Sequence, residues 1–184
     1  MKLSIIWRLS DREEKNLITG NSLQKQLDDY TDDVQVLVYK GNGQTFEKTL
    51  TGKNLDISIY DINKIPENSN IFEDAKKRVT GDYVTFMDSG DQWSDGAFVR
   101  LAAELEMHNK STVIMLKKCG PDGSVDAFAG DTTGKKVIDQ VLRKKFHCHP
   151  FYFGGTILRT DKMNKLEFKN EYKQAMEQAG MLDI

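Results

Sequence analysis

Hydrophobic positions along this chain follow two periods, and the switches between them mark the elements. Residues 3–7, LSIIW, form a short apolar run broken only by Ser4, the pattern of a strand buried on both faces. Ser10-Asp11-Arg12-Glu13 follows with capping-box spacing and predicts a helix beginning near Asp11. Gly20, Leu23 and Leu27, at i, i+3 and i+7, give that helix an inner face, and Gly20 permits close approach to a sheet. Residues 34–39, VQVLVY, predict a second strand, stopped by the turn signal Gly41-Asn42-Gly43. Residues 56–60 alternate weakly and predict a third.

Residues 70–80 predict a modest helix, with Gly81 in the position of a left-handed C-cap. The uncharged, β-branched and aromatic run 83–87 predicts a fourth strand. Ser94 or Asp95 caps the next helix, whose apolar face is Phe98, Leu101, Ala102 and Leu105. Residues 112–116 predict a fifth strand, and the glycine-proline turn at 119–123 leads into a strand at 124–128. Further on, Val137, Val141 and Leu142 have helical spacing within 131–145. Residues 151–159 are strand-like around Gly154 and Gly155, and 171–179 predict a last helix ended by Gly180. Strands alternating with helices over residues 1–118 imply βαβ units and a mostly parallel sheet flanked by helices, an α/β fold. Ligands of such sheets sit beyond the carboxyl ends of the strands.

Composition narrows the function classes. A chain of 184 residues, 39% hydrophobic and 29% charged, fits one globular domain with a real core. Its 26 basic and 28 acidic residues give a net charge of −2, which argues against a general nucleic-acid binder. No apolar run approaches the roughly eighteen residues of a membrane span, and the first strand is too short for a signal peptide. Cys119 and Cys148 are the only cysteines and form no disulfide framework, so a reducing cytoplasm is the expected location.

Candidate chemistry lies where the fourth strand stops, at Asp88-Ser89-Gly90-Asp91, followed by Trp93. Two carboxylates on a turn after a buried strand can ligate a hard cation, Mg2+ or Mn2+. Such ions are typically held by one or two carboxylates together with substrate phosphates. A nucleotide diphosphate would bring those phosphates, and the ion would neutralise charge on the departing group. The structural alternative is an acidic turn in which Asp88 ends a strand and Asp91 caps the turn.

From Gly81 the chain runs G-D-Y-V-T-F-M-D-S-G-D-Q-W. This resembles the GEYxxFLDSDDxW stretch around the DXD-like motif of family 2 glycosyltransferases with the GT-A fold; Gly81, Asp82, Tyr83, Phe86, Asp88, Ser89, Asp91 and Trp93 fall on it. Ser22-Leu23-Gln24-Lys25-Gln26 is similar to the family's S-L-x-x-Q pattern in the first helix. Phe153-Gly154-Gly155-Thr156-Ile157-Leu158-Arg159 resembles its segment leading to the acceptor side. The resemblance implies one GT-A-like domain over 1–184, with a nucleotide-binding half at 1–118 and an acceptor-side half at 119–184. It further implies metal-dependent transfer of a sugar from a nucleotide-sugar donor to a glycan, lipid-linked or protein acceptor, cell-surface polymers included. By the same resemblance Asp91 coordinates Mg2+ or Mn2+, and Asp88 supports the ribose or the metal's water shell. Gly90 and Trp93 border the donor, while Gly154 and Gly155 let backbone approach donor sugar or acceptor. Transfer needs a general base, and counting from Phe168 as the family does leaves Glu177 as the candidate. Its structural alternative is an exposed helix residue.

Departures from the family are equally specific. Its V-D-D-G-S-like turn, where an aspartate reads the nucleobase, is replaced by Val38-Tyr39-Lys40-Gly41-Asn42-Gly43. Its P-x-Y-N-like turn is replaced by Trp7-Arg8-Leu9-Ser10, its A-R-N-x-G-like helix start by Ile71-Phe72-Glu73-Asp74-Ala75, and its middle acid by Gly90. These support a reading of another class, a non-catalytic glycosyltransferase-like binding or assembly module of a multidomain transferase. A third reading is another open-sheet phosphate binder. The chain is short for such an enzyme, so an N-terminal domain of a larger protein is expected.

The remaining signals are weaker. His147-Cys148-His149 lacks a second cluster to complete a structural zinc site, although one imidazole could join Asp91 at an ion. Gly130 to Lys136 imitates a P-loop but lacks a spacer residue and the hydroxyl that would hold Mg2+. Arg143-Lys144-Lys145 suits either a solvated helix end or contact with anionic lipid at the inner membrane face.

Overall fold

The computed structural model describes residues 1–46, 50–67, 69–107, 113–115, 118–119, 125–126 and 156–165. In chain order the elements are β1 (Leu3–Arg8), α1 (Glu13–Asp29), β2 (Val34–Lys40), β3 (Leu55–Asp61), a 3-10 turn (Ile62–Lys64), α2 (Ile71–Lys76) and β4 (Tyr83–Asp88). They continue with α3 (Ala97–Met107), β5 (Val113–Met115), β6 (Lys118–Cys119), β7 (Val125–Asp126), β8 (Thr156–Arg159) and α4 (Thr160–Met163). Six strands form one sheet in the order β3-β2-β1-β4-β8-β5. β1 to β4 are parallel, and β8 enters antiparallel between β4 and β5. The mostly parallel α/β sheet flanked by helices is therefore present. The predicted strands at 124–128 and 151–159 form only in part within the described residues, as β7 and β8. The helices expected over 131–145 and 171–179 lie outside them. Among the described residues no helix is long and apolar enough to cross a membrane.

Period-two alternation gives the sheet two apolar faces. Leu3, Ile5 and Trp7 of β1 join Val34, Val36 and Val38 of β2 in one core with Leu23 and Leu27 of α1 and Phe98, Leu101 and Leu105 of α3. Ile6, Leu37, Tyr39, Val84 and Phe86 point the other way, toward Ala75 of α2, Leu158 of β8 and Met163 of α4. The faces predicted for α1 and α3 are the ones buried: Gly20, Leu23 and Leu27 on the first, and Phe98, Leu101 and Leu105 on the second.

Three local expectations fail for identifiable reasons. α1 starts at Glu13 rather than near Asp11, because Ser10 does not close a capping box. Its backbone N–H instead donates to Asn16 Oδ1 (2.9 Å), and Asn16 Nδ2 donates back to the Ser10 carbonyl (3.0 Å). α2 stops at Lys76 because the following chain is drawn toward β2: Gln35 Nε2 donates to the Arg78 carbonyl (3.1 Å), and Thr80 N–H donates to Gln35 Oε1 (2.9 Å).

Gly81 is not a left-handed cap; the positive-φ glycines among the described residues are Gly43, Gly90 and Gly96. Its requirement is space. A Cβ there would lie 2.7 Å from Ser4 N and from Ser4 Oγ, and 2.9 Å from the Lys2 carbonyl. The same contact lets Gly81 N–H donate to Ser4 Oγ (2.9 Å), which docks the start of β4 against β1. Because the obstruction is mostly backbone, Gly81→Ala is expected to destabilise the fold by about 2–3 kcal/mol, read as a lower urea midpoint at unchanged slope.

Candidate active site

The sheet order reverses beside β1: β2 and β3 lie on one side and β4 on the other. Open α/β sheets bind ligands at such a switch point, in the crevice beyond the strand carboxyl ends. The register pairs Arg8 with Asp88 there, as the last residues of β1 and β4. The acidic turn thus stands at the place the topology singles out.

Its shape follows from a few hydrogen bonds. Asp91 N–H donates to the Asp88 carbonyl (3.0 Å), and Asp88 N–H donates to Asp91 Oδ2 (2.9 Å), which folds the Asp91 carboxylate back over the turn. Gly90 sits at φ +107°, a conformation open to glycine and strained for an aspartate. The turn is anchored on β1, where Ser89 N–H donates to the Arg8 carbonyl (3.2 Å) and Trp7 Nε1 donates to Ser89 Oγ (3.1 Å). It is anchored on α1 through Thr19, whose hydroxyl donates to the Asp91 carbonyl (2.9 Å) and accepts from Gly90 N–H (2.8 Å).

The S-L-x-x-Q pattern also acquires a physical meaning. Ser22 Oγ accepts from Trp93 N–H (2.7 Å), and Gln26 Oε1, one turn further along the same face, accepts from Phe98 N–H (3.3 Å). Leu23 between them is fully buried. The pattern is a clamp that binds the chain leaving the acidic turn to α1. Trp93 belongs to this support. It packs edge-on against Phe98 at 5.2 Å between centroids, and its Nε1 donates to Met87 Sδ (2.9 Å).

Electrostatics separate the two acids. Arg8 Nε donates to Asp88 Oδ1 at 2.8 Å, with 30% of the Arg8 side chain and 24% of the Asp88 side chain exposed. Burial pushes the Asp88 carboxyl from 3.8 up to about 6; Arg8 opposes this by charge and hydrogen bond, while the Asp91 charge adds to it. The carboxylate expected to help hold an ion is already neutralised by a protein cation. Among the described residues no group of three or more His, Cys, Asp or Glu side chains could hold a metal. Asp88 is engaged by Arg8, while the N–H on Asp91 Oδ2 orients that carboxylate as outer hydrogen bonds orient metal ligands.

Gly154, Gly155 and Glu177 lie outside the described residues, as do His147, Cys148, His149 and the basic run at 143–145. At the carboxyl end of β2, Lys40 pairs in register with Asp61 of β3. The 40–43 turn is laced by Gln44, whose Oε1 accepts from Gly41 N–H and whose Nε2 donates to Asp11 Oδ1, both at 2.6 Å. Asn63 Nδ2 donates to Asn42 Oδ1 (2.9 Å). Arg8 and Thr19 were not singled out as site residues. The one signal for Arg8 was the replacement of the family's turn after strand one by Trp7-Arg8-Leu9-Ser10.

Comparison with known proteins agrees with this fold. No protein-family model matches the chain, and no curated protein sequence matches it. Among solved structures it is similar to S. aureus TarS 1–349, at 25% identity and a TM-score of 0.64, over 97% of this chain and 53% of that one. The same TarS fragment in complex with UDP-GlcNAc matches at 22% identity and 0.63, over 91% of this chain and 48% of that one. M. tuberculosis glucosyl-3-phosphoglycerate synthase matches at 13% identity and 0.52, over 87% of this chain and 57% of that one. The fold is GT-A-like, and these likenesses support a divergent GT-A domain of the family 2-like type. It spans about half the length of the solved structures it matches.

Because the folded state holds the Asp88 proton more tightly than the unfolded chain, this group removes stability as pH rises from about 4 to about 6. Comparison of wild type with Asp88→Asn by urea unfolding is expected to show wild type losing about 2 kcal/mol relative to the variant across that window, and a few tenths more before the difference levels off at about pH 7.

Proposed function

We propose that this chain is the donor-binding domain of a glycosyltransferase that takes a sugar from a nucleotide-sugar and passes it to a hydroxyl acceptor. The observation that carries the reading is the 88–91 turn, set at the switch point of a sheet similar to that of TarS, with Arg8 and Asp88 facing each other across it. TarS 1–349 is itself seen with UDP-GlcNAc and with UDP, which supports a uridine nucleotide as the first donor to test.

In this reading the nucleotide lies across the carboxyl ends of β1 and β4, its diphosphate at Arg8 and the acidic turn. Asp91 is the one carboxylate of the pair that would hold Mg2+ or Mn2+, an ion whose charge would stabilise the departing diphosphate. Asp88 holds Arg8 in place rather than binding the ion. The bond from the anomeric carbon to the diphosphate oxygen breaks, a bond from that carbon to the acceptor oxygen forms, and the hydroxyl proton passes to a base. Glu177 is assigned that base role from the family spacing alone. Gly90 and, from the family resemblance alone, Gly154 and Gly155 would let backbone approach donor or acceptor, and Trp93 supports the turn from the core side. The acceptor is a glycan, a lipid-linked sugar or a protein.

A second reading, a GT-A-like module that binds without catalysing, is favoured by one observation. The 40–43 turn, without its nucleobase-reading acids, is tied down by Gln44 to Asp11 and by Asn63 to Asn42.

Thermal shift with UDP, GDP, CDP and TDP separates the two. One nucleotide at a hundredfold excess over its Kd is expected to stabilise the fold by about 2.7 kcal/mol. Asp91→Ala should abolish whatever Mn2+ adds to that shift. Silence toward all four nucleotides supports the module.

A further inference from the structure

We propose that the free edge of β3 pairs with β3 of a second copy of this chain, antiparallel about a two-fold axis at Ile57, so that two domains share one continuous sheet.

β3 is the outermost strand of the six-stranded sheet, with β2 as its one neighbour. Among the described residues, no backbone group of residues 55–61 bonds to anything beyond that pairing. An unpaired edge is a template for another strand, and proteins that avoid such pairing guard it with lysine, proline or a bulge. β3 has none of the three, running LDISIYD in unbroken register with β2. That register sets Leu55, Ile57 and Ile59 beside Val34, Val36 and Val38, which are buried with Leu23 and Leu27 of α1. The core runs out to β3 and stops there uncovered. Val36 and Val38 are fully buried, whereas Ile57 is 36% and Ile59 48% exposed.

The residues along the strand indicate what covers it. An antiparallel pair centred on Ile57 sets Ile57 against itself and Leu55 against Ile59. It also brings Lys53, in the turn before β3, to Asp61 at the far end of the other strand. Lys53 is exposed and has no ion pair among the described residues, and Asp61 accepts from Asn63 on Oδ1 alone. On the opposite face Asp56 meets Ser58, a hydroxyl that can donate to the carboxylate. A slip of two residues, the smallest that keeps the faces together, spoils this match. It sets Asp56 against Asp56 in one direction and Leu55 against Asp61 in the other. A two-fold interface requires one patch to fit itself, and β3 does so in this register and not in its neighbours. A strand from a foreign protein would need no such symmetry. The axis lies two strands from β1, and antiparallel pairing points the carboxyl ends of the two parallel sheets in opposite directions, so both crevices stay open.

Sedimentation velocity of the chain between about 1 and about 100 µM is expected to show a monomer–dimer equilibrium, with dimer dominant at the upper end. Ile57→Lys brings two ammonium groups together on the axis and should weaken dimerisation by about tenfold or more. Lys53→Glu sets like charges at both ends and should weaken it by about threefold or more; Lys53 is exposed, so this variant keeps the test valid if Ile57→Lys unfolds. Register is read by cross-linking, with Cys119 and Cys148 replaced by serine. Ile57→Cys should give a disulfide-linked dimer under mild oxidation, because directly opposed residues lie about 4.5–5.5 Å apart at Cα. Ile59→Cys should not, since its copy stands about 13 Å away along the strand. A chain that stays monomeric over the whole range overturns the proposal. So does a dimer that neither Ile57→Lys nor Lys53→Glu weakens, and so does equal cross-linking of the two cysteine variants.

Discussion

The parallel pairing of β1 with β4 is the constraint from which the rest of the site follows. It places Arg8 opposite Asp88 at the strand ends, and it is secured at the other end, where Gly81 leaves no gap between the chains. Strand register cannot shift by one residue without exchanging the faces that bury Trp7 and Ile6. The charge pair at the crevice is therefore fixed by hydrophobic packing on both sides of the sheet. Its own contribution to stability is secondary, since burial of the Asp88 carboxylate offsets much of what the Arg8 charge returns.

The turn beyond that pair is held by three elements at once. β1 supplies the Arg8 carbonyl and the Trp7 indole, α1 supplies Thr19 and Ser22, and β4 supplies the Asp88 N–H that orients Asp91. Most of these are bonds to backbone. They specify the path of the chain and leave the side-chain chemistry at 88, 90 and 91 open to change. This explains how a GT-A domain can keep the turn while its charge pattern diverges.

Much of the fold was legible in the sequence because it depends on local periodicity. The apolar faces of α1 and α3 and the first four strands follow from positions such as Leu23, Leu27, Phe98 and Leu101, which have a single way to be buried. Features that depend on distant partners were not legible. Asn16 displaces the capping box, Gln35 cuts α2 short, and Gly81 answers to the backbone of Ser4 rather than to its own helix. In the site, the acids could be found because their spacing resembles a family motif. The meaning of Arg8 and Thr19 could not, since β1 and α1 approach the turn only after folding. The Ser22–Gln26 spacing was visible as a pattern, and its cause appeared only with the Trp93 and Phe98 amides beside it.

Both indoles of the chain hang from this one turn. Trp7 donates to Ser89 and Trp93 donates to the sulfur of Met87, and the sequence contains no other tryptophan. The native emission of the protein is consequently a label-free optical reporter of the turn, with a thioether against one fluorophore and a hydroxyl against the other.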